Sequence, residues 1–496
     1  MGIVQKDAFR TMVISYIGIL LGYINKGFLF LIILTTAQIG LVNLLVTVGT
    51  LFAQFANLGT IYTTWKFFPY FKNEEKKHHG FLPFILSIVW VGIIVCTILF
   101  VLFRQEVQAL YAEHSAAFSD YYFMVLPIGI ATVLYLVVEM FLRALYKNTL
   151  AVFALEIGLR LSLSVLLGLL YFKLIDFNLF VILQSLSYLI PLTIVSIYLI
   201  QLGEFNLSWR TVDISKRFQK IIRNFSVFTY INTLGIVFVN SLDIMMIAYY
   251  LGLEATGVYT TVVFLASALQ VPYKSVIRVS SPLVADHWKR REMDKMQDLY
   301  TKVSSVALVI GLAPFLAIWA NIDFLFGFLK PEFLPGIWVF FFLMMGRLLD
   351  MYFGINGSIF VTSKKYKFDI VFTLVLMGTV VVLNTFFIPW WGIAGAAIST
   401  SIALIVYNLG RLTFVWTAYN IHPFSLNQLK VIALAVLTFV LGYVLPEWIS
   451  DRGIVLFIAQ LTVVLVFFIL PILTLRLDPE ISGYVKKLTQ RFLKVD

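Results

Sequence analysis

The chain has 496 residues, of which 60% are hydrophobic and 13% charged, with a net charge of +11 and a mean hydropathy of +0.93. Soluble globular chains carry roughly 25% charged residues, so this one has too little polar surface to cover a core of its size in water. Its solvent is lipid. Lipid admits only helices or closed barrels, because backbone groups there must bond one another, and these apolar runs are too long for the alternating pattern of barrel strands.

A bilayer takes about 20 mostly apolar residues per helix. Residues 1–10 are polar, and the apolar stretch after them is too long for the core of a cleavable signal peptide. It is read as span 1, over 11–34, with Lys26 inside it. Spans 2 (38–65) and 3 (81–103) follow. Span 4 (120–142) holds Pro127 and Glu139, with Arg143 four residues on. Span 5 (150–172) holds Glu156 and Arg160, and span 6 (178–201) holds Pro191. Span 7 (224–250) carries Asp243. Span 8 (256–283) carries Lys274 and Arg278 just after Pro272. Span 9 (303–328) contains Pro314, and span 10 (333–361) contains Arg347 and Asp350. Spans 11 (369–388), 12 (392–417), 13 (430–447) and 14 (453–475) complete an all-α polytopic chain of about fourteen transmembrane helices.

The basic residues fix the orientation. Loops on the side of the N-terminus carry 28 Lys and Arg, whereas the opposite loops carry only Arg104, Lys173, Lys330 and Arg452. By the positive-inside rule both termini are expected in the cytoplasm, in a cell (inner) membrane. The positive charge is thus topological, and no nucleic-acid partner is expected. Two basic amphipathic segments, Trp209–Ile222 and Ile481–Leu493, have the pattern of helices lying on membrane lipid. Cys96 is the single cysteine and cannot form an intrachain disulfide. The histidines, at 78, 79, 114, 287 and 422, fall in predicted loops at no metal-ligand spacing, so neither a metal site nor a cofactor is expected.

An internal repeat is visible. NKGFLFLIILTTAQIGLVN, from Asn25, aligns without gaps on LDIMMIAYYLGLEATGVYT, from Leu242. The offset of 217 residues carries Gly40 onto Gly257 and Lys26 onto Asp243, and it matches spans 1–2 with spans 7–8. The expected organisation is an N-terminal lobe (1–203), a linker (204–223), a C-terminal lobe (224–420), spans 13–14 (421–476) and a tail (477–496). An even number of spans per half implies parallel repeats about an axis along the membrane normal.

Charges inside a membrane are costly and usually mark cavities or ion pathways. Glu139–Arg143, Glu156–Arg160 and Arg347–Asp350 have helical spacing, so two readings stand for them: ion-coupling groups, or structural pairs that neutralise themselves. Asp243 belongs to the same set. Lys274 and Arg278 share one helix face with no acid of their own, below a proline that removes a helical hydrogen bond. Two such cations suit an anionic group such as a phosphate; the alternative pairs Lys274 with an acid of another span and places Arg278 at the interface. Enzyme signatures are absent: there is no P-loop, no GxSxG, no HExxH and no long extramembrane segment.

The stretches DIMMIAYYLGLEATGVYTTVVFLA (Asp243–Ala266) and WGIAGAAISTSIA (Trp391–Ala403), set in fourteen spans with a repeated half, look like known exporters. The chain resembles the polysaccharide transporter branch, the O-antigen or lipid-linked oligosaccharide flippases, of the multidrug/oligosaccharidyl-lipid/polysaccharide exporter superfamily. The resemblance implies a transporter rather than an enzyme. Its cargo would be an undecaprenyl-diphosphate-linked oligosaccharide, moved from the inner to the outer leaflet by alternating access for lipopolysaccharide or other surface polysaccharide. It implies that Lys26, Lys274, Arg278 and Arg347 receive the diphosphate, and that Asp243, Asp350, Glu139, Glu156 and Arg160 couple a proton or sodium ion or form charge pairs. It also implies glycosyltransferase or polysaccharide polymerase neighbours. Two alternatives remain: a multidrug or cation antiporter of the same fold, and a membrane polysaccharide polymerase or acyltransferase.

Overall fold

The computed structural model describes residues 3–73, 77–208, 215–449 and 453–483. The described residues form helices and their connecting turns, with no strand among them. Twelve helices are long and apolar enough to cross a membrane, and a bent pair, Gly252–Ser267 and Gln270–Arg290, makes a thirteenth. One of the twelve, Asp369–Tyr419, runs for 51 residues. That is about 75 Å at 1.5 Å per residue, more than twice a hydrocarbon core. It turns at Gly392, whose φ of 60° and ψ of −141° lie outside helical space. It therefore holds spans 11 and 12, and the hydropathy reading of about fourteen stands.

Several boundaries differ from the sequence reading; span 9, for one, runs Met293–Ala320 rather than 303–328. Span 2 ends early, at Ala56, and a second helix, Thr60–Phe71, follows it. Asn57 Oδ1 accepts the Gly59 N–H at 2.7 Å, and Gly59 takes a left-handed φ of 78°, so the local turn chemistry stops the first helix. Span 7 begins early. Ser215 caps a single helix, Lys216–Tyr250, so the end of the expected surface segment is the first turns of that span. The rest of that segment, 209–214, and residues 484–493 of the tail lie outside the described residues.

The chain divides into two compact units, Met1–Thr261 and Val262–Asp496. The first has an aromatic core in which Phe68 meets Phe141 edge-on at 4.8 Å and Phe71 stacks on Phe81 at 5.0 Å. Span 3 turns Trp90, Val91, Ile94, Ile98 and Leu102 outward, side chains that only lipid would solvate. In the second unit, Tyr273, Ala307 and Met351 form a smaller buried cluster that ties span 8 to spans 9 and 10.

The 217-residue repeat has a physical counterpart in the first unit. Gly40 lies against the Leu253 carbonyl and the Gly257 nitrogen, while Gly257 lies against the Thr36 carbonyl and the Gly40 nitrogen. The partners on each side are the same pair of positions, shifted by 217. Three residues along, Asn43 Nδ2 donates to Thr260 Oγ1 at 3.1 Å, again between equivalent positions. The contact is reciprocal, as a two-fold relation between the repeats requires. Only glycine lets two helix backbones approach this closely.

Candidate functional site

In the first unit, Lys26 of span 1 and Glu156 and Arg160 of span 5 lie among polar side chains of spans 1, 2 and 5. Span 1 contains a π-helical turn, Asn25–Leu29, and Lys26 lies within it. Such turns shift the helix face by one residue and are frequent at functional sites. Lys26 Nζ donates to Asn43 Oδ1 at 2.9 Å, so the lysine joins the bridge that Asn43 makes to Thr260. Asn25, which is buried, donates to the Arg160 carbonyl at 2.7 Å and accepts from Ser164 at 2.7 Å. Span 5 has its own π-helical turn, Ala154–Gly158, which carries Glu156. Glu156 pairs with Arg160 at 2.7 Å, and Gly18 and Gly22 of span 1 leave the room these two side chains occupy. A cavity of about 290 Å³ opens beside the pair, lined also by Thr50, Thr132, Tyr135 and Tyr188.

Glu139 and Arg143 pair at 2.6 Å, with the carboxylate buried. Both helical-spacing pairs in this unit are thus formed as ion pairs. Asp243, also buried, accepts from the Tyr259 hydroxyl at 2.7 Å.

In the second unit, span 8 bends by 50° between Ser267 and Gln270. Pro272 has no N–H to offer the Ala268 carbonyl, which accepts instead from Val271 at 3.1 Å. Span 6 repeats the device: Pro191 leaves the Ser187 carbonyl to Ile190 at 3.0 Å. Beyond the span 8 bend, Lys274 and Arg278 are both exposed. Neither has an ion-pair partner among the described residues, whereas Tyr273 on the opposite face is buried against Gly354.

Arg347 donates to the Val263 carbonyl at 3.4 Å, and Asp350 accepts from Asn408 at 3.0 Å. Asn408 belongs to a polar cluster on span 12 that sequence reasoning missed. Its neighbour is Arg411, which lies inside span 12 and was not among the membrane charges singled out from the sequence. Arg411 Nε donates to Asp369 Oδ1 at 2.9 Å, Nη2 also contacts that oxygen, and the guanidinium lies 4.1 Å from the centre of the Tyr407 ring. Asp369 is 2% exposed. Arg411→Leu takes the cation from this buried carboxylate and is expected to destabilise the protein by about 3 kcal/mol, read as a lowered thermal transition in detergent.

The described residues thus make a bilayer-spanning helical fold with charges paired inside the spans, broken helices and a repeated half. Among solved structures the chain is similar to the lipid II flippase MurJ in an inward closed conformation, with a TM-score of 0.70 at 13% identity over 93% of this chain and 97% of that one. It is also similar to an inward-facing multidrug resistance MATE family transporter of the MOP superfamily. There the TM-score is 0.54 at 14% identity, over 83% of this chain and 98% of that one. A third similar structure is MATE in complex with MaL6, with a TM-score of 0.52 at 13% identity, over 84% and 97%. These likenesses give the fold, which MurJ and MATE transporters share. No protein-family profile matches the chain, and no curated protein matches it.

Proposed function

We propose that this protein is a flippase for a lipid-linked oligosaccharide, carrying an undecaprenyl-diphosphate-anchored glycan between leaflets by alternating access for surface polysaccharide synthesis. The observation that carries this reading is the pair of exposed cations, Lys274 and Arg278, beyond the 50° bend of span 8, which have no ion-pair partner among the described residues. A diphosphate needs such cations while its lipid tail stays in the bilayer. Lys26 and Arg347 are assigned supporting positions on the diphosphate route. Orientation with both termini in the cytoplasm, and partnership with a glycosyltransferase or polymerase, belong to the same proposal.

The test is reconstitution. Vesicles containing the protein and a fluorescent polyprenyl-diphosphate sugar should expose the sugar to an impermeant quencher on the far leaflet, faster than protein-free vesicles do. An unchanged rate overturns the proposal.

A second reading, the antiporter, rests on the 290 Å³ cavity at Glu156 and Arg160. It predicts cation-driven efflux that Glu156→Gln abolishes.

A further inference from the structure

The second unit contains a cavity of about 720 Å³ that none of the cations above lines. Its walls come from the ends of spans 9, 10, 13 and 14 and from the short helix Ile322–Gly327. Aromatic rings supply much of the surface: Trp319 and Trp338 lie 6.1 Å apart, and Phe324 and Phe457 lie 4.9 Å apart.

The polar groups are one-sided. Asn321, Thr438 and Gln460 are 1%, 2% and 4% exposed. Each directs a side-chain donor to the main chain: Asn321 Nδ2 to Ala317 at 2.9 Å, Thr438 Oγ1 to Leu434 at 2.7 Å, and Gln460 Nε2 to Gly442 at 3.3 Å. The Ala317 carbonyl fixes which end of the Asn321 amide is nitrogen. Asn321 Oδ1 is therefore a buried acceptor, and it has no hydrogen-bond partner among the described residues. An orphaned acceptor is costly to bury, so it marks a place where a donor belongs. Asp323, exposed, adds a carboxylate to the same wall, and among the described residues no Lys or Arg lines the cavity.

We propose that this cavity binds the sugar head of a neutral amphiphile. Hydroxyls of the head donate to Asn321 Oδ1 and to Asp323, its apolar ring face lies on the aromatic walls, and its chain continues in the bilayer. An anionic head is disfavoured, because the carboxylate repels it and no cation among the described lining residues compensates. The site is independent of the cargo reading above, since none of the residues assigned to the diphosphate takes part.

The experiment uses the full chain in lipid nanodiscs and an alkyl glucoside bearing a photoreactive diazirine in its chain, with peptide mapping by mass spectrometry. Labelling should fall on the peptides around Asn321, Thr438 and Gln460. Excess unlabelled alkyl glucoside should remove it; free glucose and an alkyl phosphate of the same chain length should not. Asn321→Leu should weaken labelling about ten-fold. Asp323→Lys, at an exposed position, should let the alkyl phosphate compete. The proposal is overturned if the alkyl phosphate competes in the unaltered chain, which would mean that only the chain is read. It is overturned equally if glucose alone competes, which would make this a soluble-sugar site. Labelling that is unchanged in a folded Asn321→Leu protein, or an alkyl phosphate that still fails to compete in Asp323→Lys, overturns it too.

Discussion

Replacing Gly257 by leucine is expected to abolish transport and to lower the thermal transition, while Gly168→Leu and Gly378→Leu do neither. The difference is geometric. A Cβ at Gly168 or Gly378 meets nothing within 4 Å, and leucine there also improves helix propensity. A Cβ at Gly257 is driven into the Thr36 carbonyl and toward the Gly40 nitrogen. Overpacking usually costs roughly 1–3 kcal/mol, because side chains can move aside. Here the obstacle is main chain, fixed by the helix that carries it, so the two helices must separate. Under the alternating-access proposal this contact forms in one state and parts in another, and a variant that cannot form it is confined to the second. Gly40→Leu should act in the same way, because the contact is reciprocal. Normal transport by a folded Gly257→Leu protein would remove the crossing from the cycle.

The reciprocity at this crossing was legible in the sequence as a 217-residue offset, because a repeat writes the same glycine twice. The helix count was legible too, since hydropathy and charge asymmetry both report on the bilayer. Charge pairs on one helix, Glu139–Arg143 and Glu156–Arg160, followed from spacing. Pairs between helices did not. Asp369 and Arg411 are 42 residues apart, and nothing local to either points to the other. The π-helical turns at Lys26 and Glu156 were equally hidden, because one extra residue per turn leaves no mark in composition. The uncharged partners Asn43 and Asn408 were overlooked for a simpler reason. A search for costly charges passes over amides, although amides hold those charges in place.

Lys274→Gln combined with Arg278→Gln is expected to abolish flipping of a polyprenyl-diphosphate sugar while leaving the thermal transition unchanged. Stability should hold because both side chains are exposed and neither forms an ion pair among the described residues, so their removal strands no buried acid. Four residues apart on the helix Gln270–Arg290, they present their charges on one face, with Cβ atoms about 6 Å apart. That spacing suits two linked phosphates better than one. A hydrogen bond to a charged group contributes about 1.5–3 kcal/mol. Losing two therefore costs about 4 kcal/mol, or roughly a thousand-fold in rate or affinity. Lys274→Arg should retain most activity, since it keeps the charge and adds donors. The antiporter reading reverses the pattern: the double variant would still export its cation, and Glu156→Gln would not. The two variants, measured side by side on a diphosphate lipid and on a cationic drug, give four results. Loss of diphosphate flipping in the first variant is what the flippase requires, whereas drug export that survives in the first variant and fails in the second is what the antiporter requires. Full diphosphate flipping by the double variant removes Lys274 and Arg278 from the route and takes the cargo proposal with them.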